Sequence, residues 1–123
     1  MNKKNQNEID GNLKISQDVI AAIAKEAAGE VDGVASIVDD VKMKDVLHFK
    51  NGLIPKSIKV NINNDIAVID VYINVKHGSK IQLVCQEVQQ KVKDSIQSMT
   101  GIAISKVNVH ILGIEFNEIT NKN

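Results

Sequence analysis

The sequence predicts a two-layer α/β sandwich of the α+β type, with two helices on one face of a small, mostly antiparallel sheet of three to four strands. The element order is α-(β)-β-β-α-β. Three observations predict it. Two segments carry apolar residues at helical spacing, two more alternate strictly around a turn, and a last strongly apolar strand closes the chain. Residues 13–116 read as a single domain, with polar tails at 1–12 and 117–123 that look disordered.

The first helix begins after Ser16, whose hydroxyl can cap free backbone N–H groups, with Gln17 and Asp18 in the first turn. Ile15 before the cap and Ile20 inside it fit a hydrophobic staple. Ile20, Ile23, Ala24 and Ala27 share one face, and the alanines allow a close neighbour. Gly29 and Gly33 bracket the exit, and "VASIV" at 34–38 reads as a short first strand. Residues 39–56 hold Gly52 and the single proline, Pro55, and read as a variable loop with room for a short helix at "VKMKDVLHF".

A hairpin follows. In "SIKVNI", Ile58, Val60 and Ile62 alternate with Ser57, Lys59 and Asn61. Beyond an expected turn at Asn63-Asn64, Ala67, Ile69, Val71, Ile73 and Val75 form the apolar side of a second strand. Gly78-Ser79 ends that strand, and Ser79 is the expected cap of the second helix. Ile81, Val84, Cys85, Val88, Val92, Ile96 and Met99 make its apolar stripe, and Gly101 stands where a helix-ending glycine belongs.

The last strand, "TGIAISKVNVHILGIEF", poses a parity problem. Val107, Val109 and Ile111 share one parity, while Ile102, Ile104, Leu112, Ile114 and Phe116 share the other. One flat strand cannot bury both sets against one core. A bulge at Gly113 would return Ile114 and Phe116 to the core side. Alternatively, the strand end is an exposed self-association patch. With both helices on one face, the other face stays open and carries Lys59, Asn61, Asp70, Tyr72, Asn74, Asn108 and His110. Tyr72, Asn74, His110 and Leu112 are the candidate interaction surface.

Composition narrows the function. Among 123 residues there are 15 Lys+Arg and 15 Asp+Glu, so no basic excess exists to neutralise phosphates. Aromatic residues make up 2%, too few for a base-stacking platform. A single cysteine, Cys85, forms no internal disulfide. The longest apolar run, "VIAAIA", is far short of a membrane span, and the N-terminus lacks the apolar stretch of a secretory signal. A cytoplasmic protein without direct membrane insertion is the expectation.

Catalytic patterns are not evident. His48, His77 and His110 have no ligand partner at metal-site spacing, and Cys85 sits on an apolar helix stripe, where a core role is expected. The glycines of "GEVDGV" fit neither a phosphate loop nor the G-x-x-G backbone clamp of KH domains. No catalytic residue, cofactor or metal site is expected.

Two stretches, "ISQDVIAAIAKEAAGEVDGVASIV" and "IAVIDVYINVKHGSKIQLVCQEVQQKVKDSIQSMTGIAISKVNVHILGIEF", resemble the alkaline shock proteins of Gram-positive bacteria, the Gls-type envelope stress response family. The resemblance covers roughly 13–116 and rests on "EVDGV", "HGSKI", "VQQKV" and "TG…VNVHILGI" in order. His77 departs from it, standing where tyrosine or phenylalanine is common. The ending "VNVHILGIEF" is most similar to the YqhY-like branch. The resemblance implies a small non-catalytic cytoplasmic protein of cell-envelope homeostasis. Its implied partners are a membrane-anchor protein, or acetyl-CoA carboxylase subunits through a link to fatty-acid synthesis. The family lends no catalytic residues.

The leading expectation is therefore a protein-interaction module that forms homo-oligomers and docks on such a partner, membrane-proximal only through it. The alternatives are a regulator binding an acyl or CoA metabolite and, less favoured, a nucleic-acid-binding domain.

Overall fold

Ser16 opens the first helix as its composition requires. In a computed structural model, which describes residues 15–38 and 57–116, its Oγ accepts a hydrogen bond from the Val19 N–H at 3.2 Å and α1 runs Gln17–Gly29. Ile15 packs against the core beside Ile20, as a staple does. Ile20, Ala24, Ala27 and Ala28 are buried. The expected tails at 1–12 and 117–123 and the expected 39–56 loop lie outside the described residues.

Strand β1, Val34–Ile37, follows a turn at Gly33, whose φ is +97°. A Cβ at Gly33 would lie 2.5 Å from Val84 Cγ2. Only glycine gives both that backbone angle and that approach. Strands β2, Ile58–Asn63, and β3, Ile66–Lys76, form the expected hairpin, with Ile58 opposite Val71 and Asn63 opposite Ile66. The turn lies one residue later than the sequence reading placed it. Asn64 and Asp65 take φ of 55° and 66°, the paired left-handed angles that suit a two-residue hairpin, and Asn63 still pairs in the ladder.

Helix α2, Ile81–Thr100, corrects a second expectation. Its N-cap is Lys80, with no side-chain cap bond. Ser79 sits one residue too early, in a turn closed by its own N–H to the Lys76 carbonyl, with its side chain against Gly33. Gly101 ends α2 as expected, in the left-handed conformation with its N–H on the Gln97 carbonyl. The stripe is shorter than its periodicity: Val84, Val88, Val92 and Ile96 are buried, Cys85 is half-buried, and Ile81 and Met99 at the ends are exposed.

Strand β4, Ala103–Glu115, lies parallel to β3, and α2 is the long crossover that parallel neighbours need. Strand β3 is the centre of the sheet. Strand β4 runs along one edge of it, and β1 and β2 share the other edge end to end. Their junction is at Tyr72, whose carbonyl accepts from Val38 N–H and whose N–H donates to the Ser57 carbonyl. Ala67, Ile69, Val71, Ile73 and Val75 are all buried under the helices. Each such side chain is worth roughly 1.5–3 kcal/mol when fully buried, less for alanine.

Two bulges settle the parity problem of β4. The register steps from Ala67 opposite Ile104 to Val68 opposite Lys106, leaving Ser105 extra. It steps again from Ile73 opposite Ile111 to Asn74 opposite Gly113, leaving Leu112 extra. Each step flips the alternation, so Ile104, Val107, Val109, Ile111 and Ile114 all align with the core-facing residues of β3. The bulge by Gly113 is as expected, but the burial expected from it is not. Ile114 is 47% and Phe116 58% exposed, because the sheet here extends past its helical cover.

Candidate interaction surface

On the face that the described helices leave uncovered, β3 presents Asp70, Tyr72 and Asn74, and β4 presents Asn108 and His110 opposite the first two. Asp70 is the hub. Its Oδ1 accepts from Asn108 Nδ2 at 3.1 Å and lies 3.0 Å from His110 Nε2, which donates when that nitrogen carries the proton. The His110 hydrogen bond is the largest influence lowering the Asp70 pKa. Burial opposes it, and the Asn108 amide and the positive charges of His110 and Lys59 reinforce it. The carboxyl is thus held below the usual range.

The same bond orients the imidazole. The His110 and Tyr72 rings stack with centroids 4.3 Å apart and planes within 10°. Lys59 Nζ lies 5.5 Å from the Tyr72 centroid, within cation–π reach. A row of lysine, tyrosine and histidine therefore crosses β2, β3 and β4, anchored by one carboxylate.

A second cluster sits one step along. The Ser36 hydroxyl donates to Glu115 Oε2 at 2.6 Å, and Asn74 Nδ2 donates to both Ser36 Oγ and Glu115 Oε2 at 3.3 Å. It ties β1, β3 and β4 together. Gly113 makes room for it, since a Cβ there would lie 2.9 Å from Asn74 Oδ1. Beside it, His77 meets the Phe116 ring with centroids 4.5 Å apart.

Of the four residues singled out from sequence, Tyr72 and His110 are in direct contact. Asn74 belongs to the neighbouring cluster, and Leu112 is the extra residue of the bulge, 58% exposed. The sequence reading set Asp70 and Asn108 on this face without seeing that register makes them opposite partners. It missed Ser36 and Glu115, whose meeting depends on where β1 lands on β3.

On the helical side, Cys85 has its thiol pushed up by burial. Shallow clefts flank α2, one of about 450 Å³ between it and β4, lined by residues such as Gln89, Lys93 and Lys106. Among the described residues, no three His, Cys, Asp or Glu side chains are grouped to hold a metal ion. No described helix is long and apolar enough to cross a membrane.

Fold and surface together define a small α+β domain whose described helices cover one face of its sheet and not the other. The chain belongs to the alkaline shock protein 23 family, of cell envelope-related function, whose model matches residues 5–116. It is similar to the YqhY protein of Bacillus subtilis (strain 168), 37% identical over 106 residues that span 86% of this chain and 78% of that one. It is also similar to the YloU protein of the same organism, 32% identical over 108 residues, 85% and 88% of the two chains. Among solved structures, a histidine-to-alanine variant of the MamM CTD superposes with a TM-score of 0.51 at 14% identity, covering 81% of this chain and 100% of that one. At that identity the likeness shows a shared fold alone.

Proposed function

We propose that this chain is a non-catalytic protein-interaction module of the cell envelope, acting through the uncovered sheet face. One observation carries the reading. The stacked Tyr72–His110 pair, fixed by Asp70, lies on a face that no described helix covers, and the exposed Leu112 follows two residues along β4. A preorganised aromatic pair next to an apolar side chain suits a protein interface, because little side-chain freedom remains to be lost on binding. Cell envelope-related function in the family supports the setting. The non-catalytic reading is supported by the Asp70–His110 pair, which has no nucleophile hydrogen-bonded to it among the described residues. In this proposal copies of the chain associate in the cytoplasm. They reach the membrane through an anchor protein or serve fatty-acid synthesis through acetyl-CoA carboxylase subunits.

Leu112→Lys and Tyr72→Lys test it. Each is expected to lower the solution mass seen by light scattering and to weaken partner recovery after in-cell crosslinking, with the far-UV circular dichroism unchanged. Wild-type mass and wild-type recovery in both variants would place the working surface elsewhere.

A further inference from the structure

Among the described strands β4 is an edge, and α2 covers only half of it. Gln97 Oε1 accepts from the Ile104 N–H at 3.1 Å, and Gln89 Nε2 donates to the Val107 carbonyl at 3.1 Å. Both bonds satisfy backbone groups that point away from β3. Backbone direction alternates along a strand, so the next outward groups belong to Val109 and Ile111. No side chain among the described residues reaches them. Exposed edges of this kind are templates for another strand. Apolar side chains flank this one, with Leu112, Ile114 and Phe116 each at least 47% exposed.

The geometry points to a second copy of this chain as the strand that completes the edge, β4 against β4 in antiparallel register about a twofold axis at His110. The inference rests on the reading that copies of the chain associate, and adds where they join. In that register Val109 of each copy faces Ile111 of the other, apolar against apolar. Counting past the extra residue at Leu112, Ile114 faces Val107 and Glu115 faces Lys106, twice by symmetry, with the incoming Ile114 N–H taking the Val107 carbonyl from Gln89. Lys106 is exposed and has no carboxylate partner among the described residues. Glu115 and Lys106 both align with the open-face residues of β3, Lys76 and Val68. The pairing therefore joins opposite charges on the same face of a sheet made continuous across both copies, Lys106 meeting Glu115 at Oε1 while Ser36 and Asn74 keep Oε2. A chain with no net charge lacks the one-signed stripe that would select a charged foreign peptide.

Two measurements test this together. Amide hydrogen exchange on the wild-type chain over a concentration series should show protection at Val109 and Ile111 rising in step with the mass from light scattering. Lys106→Glu and Glu115→Lys should each raise the dimer dissociation constant about tenfold, because each sets like charges opposite one another at two places. The double swap, Lys106→Glu with Glu115→Lys, should dimerise more tightly than either single variant, the pair being restored in reverse although the Ser36 and Asn74 bonds to Glu115 are lost. A double swap no tighter than the singles would overturn the register. If mass rises with concentration while those amides exchange at a fixed rate, the edge is not the joint. Self-association through the open face would then stand alone. A chain that stays monomeric throughout overturns both readings. Protection that appears only on adding a different protein makes that protein the added strand and overturns the second copy.

Discussion

At the scale of single residues, Asp70 and Gly33 carry the most consequence. Asp70 ionised holds both Asn108 and His110, so its folded-state pKa lies below the unfolded one. A group shifted this way adds stability above the unfolded-state pKa and loses it as pH falls through the folded value. Asp70→Asn should cost about 1 kcal/mol at neutral pH, toward the low end for a charged hydrogen bond because His110 is 40% exposed. The gap from wild type should close as the pH drops below the usual carboxylate range. Urea melts across pH would show it, and a constant gap would mean that ionised Asp70 contributes nothing. At Gly33, alanine would combine a left-handed φ with a 2.5 Å approach to the buried Val84. A loss of about 2–4 kcal/mol is expected in denaturant melts of Gly33→Ala. A loss below about 1 kcal/mol would show that the turn and α2 yield easily.

At the scale of elements, the sequence speaks clearly where a pattern is local. The alternation of β2 and β3, the Ser16 cap and the Gly101 stop are all chemistry of neighbours in the chain, and each stands where the residues put it. Where a feature depends on a distant element, the sequence blurs. Gly113 marked one bulge of β4. The other, at Ser105, has no glycine to announce it and follows from aligning Ile104 and Val107 with one core. Ser79 has the chemistry of a cap, yet the turn packed on Gly33 uses it first. Periodicity likewise cannot say how far a sheet extends beneath a helix, so Ile81 and Met99 matched the stripe of α2 without being buried. The candidate surface follows the same division: Tyr72 and His110 were legible by parity, whereas the hub role of Asp70 needed the register. Two substitutions on one stripe separate pattern from coverage. Ile96→Ala should cost about 2–5 kcal/mol and Met99→Ala less than about 0.5 kcal/mol in the same melts. Similar costs would mean that the stripe is buried along its whole length.

At the scale of the whole molecule, β3 organises everything. It touches every other strand of the sheet, and its core-facing side chains are all at most 1% exposed. Amides of Ala67 to Val75 should exchange most slowly, near the rate set by global unfolding, and those of α1 sooner, since α1 has one face in solvent whereas β3 is paired along both edges. Equal rates in both would mark a single cooperative unit without a hierarchy.

The meeting of β1 and β2 at Tyr72 bears on how this protein can change over time. Val38 and Ser57 are bonded to the carbonyl and the N–H of one residue, so the chain departs and returns at a single fixed doorway. Closing a connection between anchored ends costs only about 0.6 kcal/mol more for each doubling of its length. Material can therefore be lengthened, shortened or exchanged between those two anchors with the sheet unmoved. The doorway opens at Tyr72 in the middle of the sheet. New sequence admitted there would arise beside the aromatic row, so relatives could diversify what they recognise while inheriting the same scaffold.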